Sequence, residues 1–414
     1  MTLRIGYLIQ QFPPEVGAGA ARASEMAVRW QQAGAHVTVL TGMPNRPQGR
    51  IHPDYRGRLS IREDWNDITV VRSWLYVSPT PSFARTVLNN MSFMMTSALS
   101  GALHAEAFDV LIASSPPLLP HVAGDLVARG RRIPLVLEVR DLWPDYLVDM
   151  GLLKEGTLAS RSILSLERYL LRRANSVTVV TESFRQRMIE KGVDAGRIDI
   201  LPNGVDTTFY RHSRTEPPLP ALRRTSPGEF LIGYLGNFGA GQSLSDVLDA
   251  AALVGPANPR IRFVLAGDGP QGGALRARLA TRPIANVSIH EPIAKELTPA
   301  FYSSCDACVV PLAPVAAFQK TVPSKIFEIM ACEIPVIASV DGEARRIVEQ
   351  SQSGVVTRPG NARELADAVV GMFDTSVERR AAMGTAGRAY VGVNYSRVVI
   401  ADRYLELLHR VAGR

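Results

Sequence analysis

Two lysines and a glutamate share the segment Phe318-Gln319-Lys320-Thr321-Val322-Pro323-Ser324-Lys325-Ile326-Phe327-Glu328, which continues as Ile329-Met330-Ala331-Cys332. The chain has five lysines against 41 arginines, so Lys320 and Lys325 within six residues concentrate a scarce side chain. Pro323 and Ser324 mark a helix start, with Ser324 as the expected N-cap and Glu328 one turn in, near the positive end. A carboxylate there can accept hydrogen bonds from two ribose hydroxyls, while ammonium groups beside it meet a diphosphate. A solvated helix start with ordinary charges is the competing reading of these residues.

Other segments can serve the same kind of anion. Gly17 and Gly19 follow the first strand in Gln11-Phe12-Pro13-Pro14-Glu15-Val16-Gly17-Ala18-Gly19-Ala20-Ala21-Arg22. Backbone N–H groups there can approach an anion at a helix N-terminus, and a plain βα turn that needs small residues fits equally well. Arg22 occupies the third position of the G-x-G-x-x-G fingerprint, which disfavours a nicotinamide enzyme. Gly267-Asp268-Gly269-Pro270 follows a later strand and is either a turn or one wall of a nucleotide-base site. At Arg140-Asp141 a guanidinium cannot act as a base, so the pair offers Asp141 as proton acceptor or forms a buried structural ion pair. Cys305 and Cys308 have a redox or zinc look, but strand residues three apart are expected to face opposite sides. Neither they nor the seven histidines show metal-ligand spacing, so no metal site is expected.

Parallel strands are the elements that would hold these residues. Short apolar runs at 5–9, 37–40, 68–71, 110–113, 135–139, 177–180 and 198–201 alternate with helical patterns such as 20–33, 160–173 and 183–191. The pattern restarts with strands at 230–235, 261–266, 287–290, 307–311, 336–339 and 355–357, and helices at 245–253, 272–280, 295–303, 325–331, 343–349 and 362–373. Repeated strand–helix–strand order predicts doubly wound sheets whose ligands bind beyond the strands' carboxyl ends. The proline-rich stretch 211–229 reads as a linker. It divides the chain into a first domain, 1–210 with a final helix from 396, and a second domain, 211–395. The cleft between them is the expected site.

With 414 residues, 46% hydrophobic and 21% charged, the chain has ordinary globular composition for two domains, and disorder is excluded. Its net charge of +7 permits an anionic partner without naming one, and no basic cluster with interleaved aromatics supports nucleic acid. Three cysteines exclude a disulfide scaffold and point to a reducing compartment. No signal core or spanning apolar run is evident, so a cytoplasmic location is expected. The uncharged, apolar-rich stretch between Arg85 and His104 is either a buried helix or an amphipathic one lying in a membrane interface. Arg50, Arg56, Arg58, Arg62 and Arg85 would flank it.

The segment 318–332 resembles the nucleotide-sugar-binding helix of glycosyltransferase family 4, of GT-B fold. Pro202-Asn203-Gly204-Val205-Asp206 resembles that family's turn before the interdomain linker. Tyr234-Leu235-Gly236-Asn237 resembles the strand opening its donor domain, Leu265-Ala266-Gly267-Asp268-Gly269-Pro270 its "GDGP" loop, and Pro335-Val336-Ile337-Ala338-Ser339 the strand after the donor helix. A narrower resemblance is to WbuB-type, N-acetyl-fucosaminyltransferase-like enzymes. It rests on Phe12-Pro13-Pro14-Glu15, Leu40-Thr41-Gly42-Met43-Pro44-Asn45, Glu138-Val139-Arg140-Asp141-Leu142-Trp143-Pro144 and the run 320–328.

The resemblance implies two Rossmann-like domains and a C-terminal helix that returns to the first. It further implies a retaining, metal-independent and cofactor-free transfer. The sugar, such as N-acetyl-fucosamine, would pass from a UDP-sugar to a lipid-diphosphate-linked saccharide in bacterial surface-polysaccharide synthesis (O-antigen or capsule). Glu328 would hold the ribose, Lys325 and Lys320 the diphosphate, Asn237 and Gly267–Gly269 the nucleotide, and Gly17 and Gly19 would add backbone donors. Met43, Asn45 and Trp143 would meet the acceptor, with Arg140, Asp141 and Lys325 catalytic. The protein would be peripheral on the inner face of the plasma membrane. The chain also departs from the family pattern. Lys320 stands where a first glutamate is usual, Asn237 and Gly241-Gln242 where an Arg and a Lys-Gly pair are usual, and Arg140 where a His is usual. A sugar-nucleotide epimerase and a non-catalytic scaffold are the rival readings.

Overall fold

A computed structural model describes residues 2–413 apart from 16, 47, 81, 104, 105, 144, 146, 148–152, 155 and 214. It comprises two compact units, Met1–Asn203 with Arg397–Arg414, and Gly204–Ser396. The stretch 211–229, read as a linker, belongs to the second unit, where the short turn Pro220–Leu222 buries Leu222.

In the first unit the strands are β1 (Arg4–Leu8), β2 (His36–Gly42), β3 (Ser60–Trp65), β4 (Ile68–Ser73), β5 (Val110–Ser115), β6 (Leu135–Val139), β7 (Ser176–Val179) and β8 (Ile198–Ile200). They form one sheet in the order β3-β4-β2-β1-β5-β6-β7-β8. All pair in parallel except β3, which runs antiparallel to β4. β3 escapes an apolar-run search because it is a charged edge strand, Ser-Ile-Arg-Glu-Asp-Trp, with no buried residue. The sheet is covered on both faces, which is why its strands read as near-continuous apolar runs. Ile5, Tyr7, Val37 and Val39 pack with Met26 and Trp30, while Leu8, Leu40 and Leu137 join Phe93 and Val127. The final helix, Arg397–Val411, belongs to the first of these cores. Trp30 Nε1 donates to the Ala401 carbonyl at 3.2 Å, and the Tyr404 ring packs edge-on to Trp30 at 5.1 Å.

The second unit carries β9 (Phe230–Leu235), β10 (Ile261–Ala266), β11 (Val287–His290), β12 (Ala307–Pro311), β13 (Val336–Ser339) and β14 (Gly354–Thr357), all parallel, in the order β11-β10-β9-β12-β13-β14. The strand order therefore switches between β1 and β5 in one unit and between β9 and β12 in the other. Cys305 and Cys308 do not face opposite sides as expected. A Cβ added at Gly233 would lie 2.4 Å from the Cys305 sulfur and 3.3 Å from that of Cys308. Cys305 sits in the turn ahead of β12, so strand alternation does not apply to it.

Charge is buried at the centre of the first unit. Glu138 on β6 accepts from the Tyr7 hydroxyl at 3.0 Å and from Arg22 at 2.8 Å, with Arg140 Nε 3.8 Å away. Burial opposes its ionisation, yet the Arg22 and Arg140 guanidiniums, with the Ser114 and Tyr7 hydroxyls, hold its carboxyl below the usual carboxylate range. Arg22 is 3% exposed, so Glu138→Ala strands a buried guanidinium. The expected cost is about 3–5 kcal/mol. Urea unfolding followed by tryptophan fluorescence checks this, because Trp30, Trp65, Trp74 and Trp143, the chain's four tryptophans, all lie in the first unit.

Candidate active site

The helix Ser324–Ala331 begins beyond the carboxyl end of β12, at the switch in strand order of the second sheet. Pro323, not Ser324, is its N-cap, and no side chain caps it. Lys325 lies in its first turn. Its Nζ donates to the Tyr234 hydroxyl at 2.9 Å and to Gln242 Oε1 at 2.8 Å, and stands 4.0 Å from the centroid of the Tyr234 ring. Both acceptors are neutral. Burial lowers the ammonium's pKa from 10.5 to about 7, against a weaker opposing pull from Glu328. An anion arriving at this end of the helix meets a cation that is short of negative charge.

Glu328, one turn further, accepts from the hydroxyl of the buried Tyr302 at 3.0 Å. That bond fixes one carboxylate oxygen of the half-buried group. Lys320 ends the short helical turn Ala316–Lys320 and is exposed. A neighbouring cavity of about 240 Å³ is lined by Phe318, Gln319, Asp341 and Arg358 among others, and shares no lining residue with Lys325 or Glu328.

Asn237 and the 267–270 loop form a wall on the other side of β9. The Phe238 N–H donates to the Asp268 carbonyl at 2.9 Å, and the Gln271 N–H to the Phe238 carbonyl at 2.8 Å. Gly267 has φ +150°, and a Cβ there would lie 1.8 Å from the Gly236 oxygen, so this close approach requires glycine. Gly269 packs against Phe238 backbone and Asn237 Oδ1, while Asn237 and Asp268 present exposed side chains.

In the first unit, Gly17 caps the helix Ala18–Gln32. A Cβ on Gly19 would meet the Arg140 guanidinium at 3.2–3.3 Å. Arg140 Nε donates to the Ser115 carbonyl at 3.2 Å, so the guanidinium lies across the carboxyl ends of β5 and β6 beside a helix N-terminus. Two positive features thus converge. Asp141 is part-buried, and burial raises its pKa. With Trp143, His121 and Glu167 it lines a cavity of only about 10 Å³, room for one water and not for a sugar. Trp143 packs against the core. Met43 is fully buried there too, so its side chain offers no surface to an acceptor, contrary to expectation. Asn45 remains accessible, its backbone N–H held by Glu15 Oε1 at 2.8 Å.

Sequence reasoning passed over Tyr234, Gln242, Tyr302, Arg22 and Glu15 as site residues. Gln242 carried the available signal, because it stands where the family usually has a cation and here it holds one.

Residues 17–204 match the model of a glycosyl transferase 4-like domain, and residues 229–375 that of glycosyl transferases group 1. The chain belongs to the family 4 glycosyltransferases. Among relatives of this glycosyltransferase is the putative colanic acid biosynthesis glycosyl transferase WcaI of Escherichia coli, 26% identical over 77% of this chain and 79% of that protein. Another is the GDP-mannose-dependent alpha-(1-6)-phosphatidylinositol monomannoside mannosyltransferase of Mycobacterium tuberculosis, 26% identical over 75% and 86%. The GT-B fold is shared with sucrose-phosphate synthase of Thermosynechococcus elongatus (TM-score 0.75, 19% identity, 99% of both chains) and with Anabaena HepE in complex with UDP-glucose (TM-score 0.69, 19% identity, 99% and 100%).

Binding of an anion against the Lys325 ammonium is expected to depend on pH. A bound anion raises the Lys325 pKa above its free value near 7, so binding takes up a proton above pH 7 and not below. Calorimetry with a UDP-sugar, whose diphosphate has no ionisation near neutral pH, should show constant affinity below about pH 7 and progressive weakening above it, by up to ~10-fold per pH unit. Lys325→Met should weaken binding at pH 6.5 and abolish the dependence.

Proposed function

We infer that this glycosyltransferase takes its sugar from a UDP-sugar held on the second unit and passes it, with retention, to a lipid-diphosphate-linked saccharide. The observation that carries the reading is Lys325 and Glu328 on successive turns of one helix N-terminus. The lysine has only neutral hydrogen-bond acceptors, and the carboxylate has one oxygen anchored by Tyr302. Glu328 holds the ribose, Lys325 the diphosphate and Lys320 its outer side, while Asn237 and Gly267–Gly269 wall the base. HepE, solved with UDP-glucose, supports a uridine nucleotide; the mycobacterial relative is GDP-mannose-dependent, so the base must be tested.

Negative charge grows on the departing diphosphate oxygen in the transition state, and Lys325 neutralises it as a metal ion would elsewhere. The proposed reaction therefore needs neither metal nor cofactor. Asp141 is the proton acceptor, reached through the one water its cavity can hold, with Arg140 and the Gly17–Gly19 helix start supplying positive potential and Asn45 and the accessible part of Trp143 touching the acceptor. The four WbuB-like segments support an N-acetyl-amino sugar such as N-acetyl-fucosamine. A relative acting on phosphatidylinositol monomannoside and another named for colanic acid biosynthesis support a lipid-borne acceptor in surface-polysaccharide synthesis at the inner face of the plasma membrane.

Mass spectrometry of products from a panel of UDP- and GDP-sugars with a synthetic prenyl-diphosphate sugar tests the reading. Product from UDP-sugars, of retained anomeric configuration by NMR and unaffected by EDTA, is expected; transfer from GDP-sugars alone would refute the donor. Losing a charged hydrogen bond costs about 1.5–3 kcal/mol, so Glu328→Ala should lower turnover at least ~10-fold. Wild-type rates in that variant would remove the ribose role.

A further inference from the structure

The helix Phe83–Leu103 carries an apolar row at every fourth position. Phe83, Val87, Met91, Met95, Leu99 and Leu103 are 62%, 36%, 44%, 64%, 61% and 75% exposed. Residues at this spacing form one ridge along a helix. The other side of the helix is seated in the unit, with Asn90, Phe93, Ser97 and Gly101 buried. A Cβ on Gly101 would lie 2.8 Å from Val127 Cγ2, so the helix is drawn close against Leu119–Arg131. Thr96 Oγ1 donates to the Trp74 carbonyl at 2.6 Å, and Ser92 Oγ accepts from the Tyr76 N–H at 2.8 Å. The ridge is therefore held outward by fixed contacts. So contiguous an exposed apolar surface marks an interaction site.

The adjoining loop is basic. Residues 46–62 contain five arginines and one acidic residue, Asp54. Arg50, Arg56 and Arg58 are exposed, and Leu59 between them and β3 is 77% exposed. The same residue ties loop and helix together. Trp74, whose carbonyl accepts from Thr96, donates its N–H to the Leu59 carbonyl at 2.9 Å. No acidic residue occurs in Phe83–Leu103. Among the described residues no helix is long and apolar enough to cross a membrane.

We propose that this face of the first unit docks on an anionic lipid bilayer. The Phe83–Leu103 ridge and Leu59 enter the headgroup–acyl boundary, and Arg50, Arg56 and Arg58 meet lipid phosphates. Apolar burial beside basic side chains is the chemistry of interfacial helices that lie on a bilayer. A second copy docked through this same face fits less well, because it would set arginines against arginines. The proposal deepens the reading of a lipid-borne acceptor by naming the surface that meets the lipid.

Co-sedimentation of the full chain with phosphatidylglycerol-containing vesicles, against pure phosphatidylcholine vesicles, tests it. Binding should favour the anionic vesicles and weaken with salt. Met95→Glu with Leu99→Glu, and separately Arg56→Glu with Arg58→Glu, should each lower partitioning at least ~10-fold, while Val377→Glu, an exposed site on the second unit, should not. Circular dichroism of each variant confirms folding. Equal binding by all variants overturns the proposal, as does a wild-type dimer that Met95→Glu dissociates without any vesicle binding. The acceptor reading is separated by a water-soluble, short-chain prenyl-diphosphate sugar. Transfer to it without vesicle binding overturns the docking face and leaves the acceptor. Vesicle binding that is lost in the variants, with no transfer to any lipid-diphosphate sugar, upholds the face and removes the acceptor.

Discussion

A charge withdrawn from water costs several kcal/mol unless opposite charge and hydrogen-bond donors surround it. In the first unit that constraint falls on Glu138. Tyr7 from β1, Arg22 from the first helix and Arg140 from the end of β6 all reach the one carboxylate. Arg22 also donates to the carbonyls of Leu201 and Pro202, carrying the network to the end of the unit's chain path. The strand, the helix and the Arg140-Asp141 turn take their mutual positions from this shared requirement. Arg22 stands where a dinucleotide fingerprint would have glycine, and its task inside the unit is to answer Glu138.

The second unit presents the complementary case. Lys325 is drawn from water too, yet a hydroxyl and an amide hold it where a carboxylate pair would normally form. A structural lysine would be expected to have the carboxylate. Under the proposed function the neutral acceptors orient the Lys325 ammonium without cancelling its field, and Gln242, standing where the family usually has a cation, holds one in place.

Most of the fold was legible because parallel strands covered on both faces must be apolar along their whole length. All thirteen expected runs are strands: seven needed end adjustments of a residue or two, and Leu135–Val139, Phe230–Leu235, Ile261–Ala266, Val287–His290, Ala307–Pro311 and Val336–Ser339 needed none. The edge strand β3 stayed hidden because it buries nothing. The cysteine pair was misjudged because strand alternation was applied to Cys305, which precedes its strand. Met43 was misjudged because a motif position shows which backbone is shared with a family, and says nothing of whether the side chain faces the core.

Residue order alone determined the two doubly wound sheets, through periodicity, and that Lys325 and Glu328 share one helix start, through their spacing; the family was legible in its motif segments, such as Gly267–Pro270 and the run 318–332. Which neutral groups hold Lys325, that Gly19 makes room for Arg140, and that the 83–103 helix turns its apolar ridge outward were decided by tertiary structure. Each depends on contacts between residues tens to hundreds of positions apart, such as Tyr234 with Lys325, Gly19 with Arg140 and Gly101 with Val127. Burial, and with it the lowered Lys325 pKa, exists only once those distant segments exclude water together.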